Sequence, residues 1–309
     1  MPNATMTQAR LSNETIYEDL ANGHQKRATD ALNDYTRIKL REEGFFSRIM
    51  PEIVIGDDEL DQTLDGDQPS KIIHKEPDSR AAISVPFGTQ PTNMYIRGTK
   101  YQITFGRILS PRFTKDVDEL RTYPLDIRQI LSDTALRDMM AEEDGKFLRA
   151  VNAALGTPDT IMPWATTPQW VTIDGGITRE NLYEGLKVMP RTASHLNAAT
   201  VLCNNVTIME PMKWGREEMG GDFAQDVIKD GWSQARFADV DWVITIKRDL
   251  VPDDTLYQFA DPKYIGKALA LEQVTVFMKR ESFMLDFYMY QTKGAAIGNT
   301  MGVARVDYA

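Results

Sequence analysis

Cysteine is nearly absent from this 309-residue chain: Cys203 stands alone. That excludes an intramolecular disulfide framework and an all-thiolate zinc site. Cys203 lies in the apolar run Ala199–Cys203, so it reads as a small buried hydrophobe rather than a nucleophile. Histidine is almost as scarce. His24, His74 and His195 are scattered, with no HExxH pair and no spacing that sets two on one helix face. The P-loop and dinucleotide glycine patterns do not occur, nor does a Gly-x-Ser-x-Gly nucleophile elbow. Gly175-Gly176 reads as a turn rather than an anion cradle. No stretch approaches the roughly 18 apolar residues of a membrane-spanning helix. The polar start Met1–Arg10 does not read as a secretory leader, so the sequons at Asn3, Asn13 and Asn205 are expected to stay unused. Positive charge is also in deficit: 35 Lys and Arg face 45 Asp and Glu, for a net charge of −10. That balance argues against tight nucleic-acid binding, which needs clustered cations, while it suits the wall of a container.

What is present is ordinary globular material, 42% hydrophobic and 26% charged, in a chain long enough to bury a real core. Fifteen methionines supply flexible side chains that pack tolerably in slightly different surroundings, as a repeated subunit requires. The forty-five carboxylates contain no pair that the sequence singles out as acid and base, and no catalytic, cofactor-binding or metal-binding residue is assigned.

Ala28, Leu32, Tyr35 and Ile38 form a thin apolar stripe with polar flanks. This predicts a helical arm over residues 1–50 whose stripe needs a partner surface. Phe45, Phe46, Ile49 and Met50 make an apolar knot ended by Pro51. In the acidic stretch Asp57–Asp67, Gly66 fits a calcium loop starting at Asp61, but the twelfth position is Ile72, so a solvated loop is expected. Residues 79–107 predict a two-stranded excursion. Ile83, Val85 and Phe87 lead out, and Tyr95, Ile96, Tyr101, Ile103 and Phe105 lead back. An isolated ribbon of this kind is marginal in water and should lie on something else.

A cap at Thr122, a proline in the first turn at Pro124 and a stop at Gly156 and Pro158 predict a helix over about 122–156. It would be roughly 45 Å long. Its apolar face includes Met139, Phe147, Leu148, Val151 and Leu155, while Glu142, Glu143 and Asp144 are expected to stay solvated. The stretch Thr157–Gly176 reads as a domain junction. Beyond it helix and strand signals alternate. Thr178 caps a helix through Leu182, Leu186 and Met189, and Thr200–Cys203 is a buried strand. Asn204-Asn205 caps a helix that Pro211 kinks and that runs to Gly220-Gly221. Trp242, Ile244 and Ile246 alternate in one strand, and Leu256–Phe259 is another. The chain ends in strands: Phe283, Leu285, Phe287 and Met289 share a face, Asp286, Tyr288 and Tyr290 take the other, and a last strand runs from Met301 to Tyr308.

This order of parts resembles the major capsid proteins of tailed bacteriophages, the Hong Kong 97 fold. The resemblance rests on Phe45–Pro51 as the join from arm to body, and on Ile108–Lys115 with the following helix to Phe147. Asp241–Pro252 resembles an axial strand with its proline exit, and Leu256–Asp261 with Tyr264-Ile265-Gly266 the return. It implies an α+β fold with these parts: an N-arm at 1–50; a peripheral domain at 51–78 and 108–176, including a spine helix at about 122–156; an E-loop hairpin at 79–107; an axial domain at 177–261; and return strands of the peripheral domain at 262–309. The implied function is a non-enzymatic head-shell protein that assembles into hexamers and pentamers, forming an icosahedral capsid around double-stranded DNA without reading its sequence. No cofactor is implied. Its implied partners are copies of itself, a portal protein, a decoration protein and a scaffolding protein, the last separate because the arm is too short for a built-in, cleaved scaffolding segment. The implied location is the virion, with assembly in the host cytoplasm and no membrane. Some relatives join an E-loop lysine to a peripheral asparagine; by region Lys100 and Asn299 stand there. Two alternatives stay open: an encapsulin-type nanocompartment shell, and a soluble carboxylate-based hydrolase.

The physical expectation is common to both shells. An arm and a ribbon without their own cores waste ordering entropy unless neighbouring copies cover them. Leu32, Tyr35 and Ile38 of the arm are therefore expected at subunit contacts. Arg80, Arg97, Lys100 and Arg107 are expected to meet Glu142, Glu143 and Asp144 of an adjoining copy.

Overall fold

A computed structural model describes residues 44–63, 66–75, 86–88, 98–116, 119, 135–214, 235–237 and 240–309. The arm with Leu32, Tyr35 and Ile38, and the ribbon residues Arg80 and Arg97, lie outside the described residues.

The apolar knot folds into one helical turn, α1 (Phe46–Ile49), with Phe45, Phe46, Ile49 and Met50 all buried. Pro51 ends it, and the chain leaves as strand β1 (Glu52–Val54). The acidic stretch expected as a loop is a short 3-10 turn at Asp57–Glu59 leading into a hairpin, β2 (Asp61–Thr63) and β3 (Gly66–Lys75). Asp61 secures that hairpin by accepting the Ile72 amide at 2.8 Å. Strand β4 (Thr99–Thr104), the inner part of the expected return strand, pairs antiparallel with β3. The ribbon's described arms are therefore 66–75 and 99–104, so the excursion starts earlier than residue 79. Phe87, expected within a strand, sits in a fully exposed turn.

Strands β5 (Gly106–Leu109) and β6 (Phe113–Asp116) both pair with a long hairpin. That hairpin is β12 (Gly266–Glu281) and β13 (Met284–Ile297), preceded by the one-turn helix α5 (Pro262–Ile265). The path of this first sheet is β1-β12-β13-β5, with β6 beside β13. Leu285, Phe287 and Met289 share its buried face with Val274, Val276 and Met278 of β12, an alternation expected for one half-buried face. Phe283, expected on that face, is instead in the turn and exposed.

The second sheet runs β7-β14-β11-β8-β10-β9. Its members are β7 (Trp170–Ile173), β8 (Thr200–Asn204), β9 (Ala235–Phe237), β10 (Val240–Thr245), β11 (Thr255–Phe259) and β14 (Val303–Tyr308). Sheet membership crosses the expected segment limits at 176 and 262. Strand β7 comes from the stretch read as a junction, and β14 returns from the C-terminal segment to lie between β7 and β11. Helix α3 (Arg179–Leu186) begins at Thr178 as expected, its hydroxyl accepting the Asn181 amide at 3.2 Å. The helix expected after Asn204 is a single turn, α4 (Met209–Met212), where it is described. Asn204 still caps, accepting the amides of Val206 and Thr207 at 3.0 and 2.7 Å.

Helix α2 (Arg137–Leu155) joins the two sheets. A wider, π-type turn at Ala135-Leu136 precedes it, and Gly156, at φ +81°, ends it as expected. Its expected beginning, near Thr122, lies outside the described residues. The 19 described residues span roughly 28 Å. That length lets one helix serve two cores. Met139 and Met140 cluster with the first sheet, whereas Phe147, Leu148, Val151 and Leu155 belong to the core of the second. Phe147 bridges Phe46 and Phe259, with ring centroids 5.0 and 5.5 Å away.

Candidate assembly surfaces

The side chains expected to meet neighbouring copies divide by exposure. Lys100 is exposed on β4, opposite His74. Arg107 is exposed on β5, its guanidinium 5.4 Å from the centre of the Tyr290 ring. Glu142 is exposed on α2 and paired with Arg149 at 2.8 Å. Asn299 is engaged as a turn cap, its Oδ1 accepting the Met301 amide at 3.2 Å.

Glu143 and Asp144 require a correction. They are not a solvated continuation of Glu142, because the helix turns both into the body. Asp144, 1% exposed, accepts the Phe46 amide at 3.0 Å and pairs with Lys247 at 2.5 Å. Glu143 pairs with Lys293 at 2.7 Å, and the same Nζ holds Glu52 at 2.5 Å. Two consecutive helix residues thus grip two different sheets, since Lys293 belongs to β13 and Lys247 follows β10. Desolvation pushes both carboxyls up. It outweighs the attraction of Lys293 for Glu143, which reaches about 7, and that of Lys247 for Asp144. Sequence reasoning missed Glu52, Lys247 and Lys293, because nothing local marks a lysine that finds its partner 103 or 150 positions away.

Elsewhere the ionic contacts hold strands in place. Asp286, on the polar face of β13, is buried beneath Arg112 and Thr114 of the β6 region. The Arg112 hydrogen bond keeps its carboxyl below the usual range. The outer edge of β7 is covered by Asp159, whose amide donates to Trp170 at 2.7 Å and whose carboxylate accepts the Thr172 amide at 3.0 Å. No group of three His, Cys, Asp or Glu side chains suited to a metal occurs among the described residues. Burial pushes the Cys203 thiol up, so it is a packing residue, as expected.

Among the described residues, the exposed large apolar side chains include three groups. Ile53 and Val54 project from β1, an edge strand, and are 52% and 56% exposed. Phe277, Phe283 and Met284 lie near the tip of the long hairpin. Val206, Met209 and Ile246 follow the parallel strands β8 and β10, whose ends are side by side with Asn204 opposite Thr245.

No protein-family model and no curated protein matches this sequence. Solved structures do match its fold. A subunit of the mature capsid of bacteriophage PhiM1 aligns with a TM-score of 0.59 at 11% identity, covering 86% of this chain and 87% of that one. The capsid of cyanophage P-SCSP1u aligns at 0.56 and 11% identity, covering 84% and 86%. A virus-like particle from Pyrococcus furiosus aligns at 0.50 and 12% identity, covering 90% and 99%. Two sheets bridged by one helix, with the three-stranded sheet β2-β3-β4 beside the first, make an α+β architecture. More particularly, the chain has the Hong Kong 97-like fold of phage major capsid proteins.

Proposed function

We propose that this chain is the major capsid protein of a tailed phage, a subunit that assembles with its own copies into the hexamers and pentamers of an icosahedral head around double-stranded DNA. The observation that carries the reading is agreement with capsid subunits over nearly the full length of both chains, together with apolar side chains left uncovered on one copy. In this reading residues 1–50 are the N-arm and 79–107, extended back to β3, the E-loop. Residues 51–78, 108–176 and the long hairpin form the peripheral domain, and 177–261 with β14 the axial domain. Lys100, Arg107 and Glu142 face neighbours, joined by Arg80, Arg97, Leu32, Tyr35 and Ile38. Glu143 and Asp144 belong to the subunit's interior. A separate scaffolding protein, a portal and a decoration protein are its proposed partners, the virion its place and the host cytoplasm its site of assembly. The net charge of −10 fits a wall that encloses a polyanion without gripping it.

The match to the Pyrococcus furiosus virus-like particle, over 99% of that chain, favours a second reading as the shell of a protein nanocompartment. Electron microscopy of the purified full-length protein, co-expressed with any scaffold, tests both. Closed icosahedral shells are expected, with nucleic acid inside supporting the phage reading and a co-purified enzyme the nanocompartment. A monomer in light scattering at physiological salt, active against a substrate panel, overturns both in favour of a hydrolase.

A further inference from the structure

The Glu52–Lys293–Glu143 cluster holds two carboxylates on one ammonium in a nearly dry place. Lys293 and Glu143 side chains are only 9% and 11% exposed, and Glu52 18%. With every group ionised the cluster carries a surplus negative charge that burial penalises; one added proton makes it neutral. Glu143 has a place to put that proton. Gln291 lies 3.4 Å from Glu143 Oε2 through its amide nitrogen, while its buried Oε1 has no hydrogen-bond partner. Turning the amide over presents that oxygen to a protonated Glu143 as an acceptor. Cavities of about 310 and 370 Å³ flank the cluster, and Glu52, Glu143 and Lys293 line both. They give water a route to the carboxylate when it ionises.

We infer that Glu143 is a proton-operated latch that fastens helix α2 to the first sheet when protonated and loosens it when ionised. The other charged groups around it are accounted for. Asp144, the next residue, lines the second cavity with it and is tied to Lys247 and the Phe46 amide. Lys146 lines the first cavity and Arg48 the second. Glu52 and Lys293 face it from β1 and β13. A carboxyl raised to about 7 from its ordinary 4.5 stabilises the closed state most fully at acid pH. That stability falls as pH rises from about 4.5 through 7, because the open state loses its proton first. The latch lies at the end of the bridge that meets the first sheet, and this holds whether or not the chain builds a shell.

Amide hydrogen exchange of the full-length protein, corrected for the intrinsic rate at each pH, tests the latch. The opening equilibrium of residues 137–148 is expected to rise roughly tenfold between pH 6 and pH 8 in the unaltered chain, by proton linkage at a carboxyl near 7. Glu143→Gln, neutral at both values, should abolish the rise, while Glu142→Gln on the exposed face should retain it. Glu52→Gln, which removes the neighbouring negative charge, should move the rise to lower pH. That variant, and a carboxyl infrared titration of the unaltered chain, decide the matter if Glu143→Gln does not fold. No rise in the unaltered chain, a rise that survives in Glu143→Gln, or a Glu143 carboxyl ionised below pH 5 overturns the inference.

Discussion

Asp144 shows how much one side chain can carry. It neutralises Lys247, receives the amide of Phe46 and so ties the entry of the chain, the bridging helix and the second sheet together. Removing one member of a buried pair leaves the other charge stranded. Asp144→Ala is therefore expected to cost about 3–5 kcal/mol in chemical denaturation of the subunit. Glu142→Ala, two residues away but facing solvent, should leave the denaturation midpoint where it was. The sequence presents Glu142-Glu143-Asp144 as one acidic run with no mark to separate them. Burial splits them, because successive helix positions point about 100° apart.

At the scale of elements, the three-stranded sheet β2-β3-β4 is seated on the first sheet by an apolar cluster, Ile103 and Phe105 with Ile55 and Leu269, and by close approach of backbone. A Cβ on Gly294 of β13 would come within 2.8 Å of both the Ile103 side chain and the Thr104 carbonyl oxygen of β4, and one on Gly298 within 2.7 Å of the Tyr101 ring. Gly294→Val should lift β4 and its partner β3 off the long hairpin while leaving the second sheet intact. Limited proteolysis checks this: cleavage within residues 66–104 should accelerate, and residues 170–214 should stay protected. The long hairpin itself was only half legible. Leu285, Phe287 and Met289 alternate plainly, but the first half of β12 reads Lys267-Ala-Leu-Ala-Leu-Glu272, residues that favour a helix in isolation. Pairing with β1 and β13 overrides that preference.

For the whole molecule, the decisive feature is a 19-residue helix that contributes to two cores at once. The knot Phe45, Phe46, Ile49 and Met50 is buried in the core of the second sheet and anchors the start of the described body. Deleting residues 1–43 should therefore leave a folded protein with a single cooperative unfolding transition that no longer closes into shells under the electron microscope. Normal particles from that truncation would remove the arm from the assembly contacts.

The amino-acid order by itself determined the succession of parts: the apolar knot before Pro51, the helix stop at Gly156, the cap at Thr178, and strands about Thr200–Cys203, Trp242–Ile246 and Leu256–Phe259. Each is written in neighbouring residues, through periodicity, caps and turns. The tertiary structure alone decided that β14 returns to the sheet of the second core, that the acidic stretch after Asp57 becomes a hairpin, and that Glu143 and Asp144 face inward to Lys293 and Lys247. The inward turn of Glu143 and Asp144 depends on partners more than one hundred positions away, and the energy of burying a charge beside its counter-ion exists only once the chain has brought the two together.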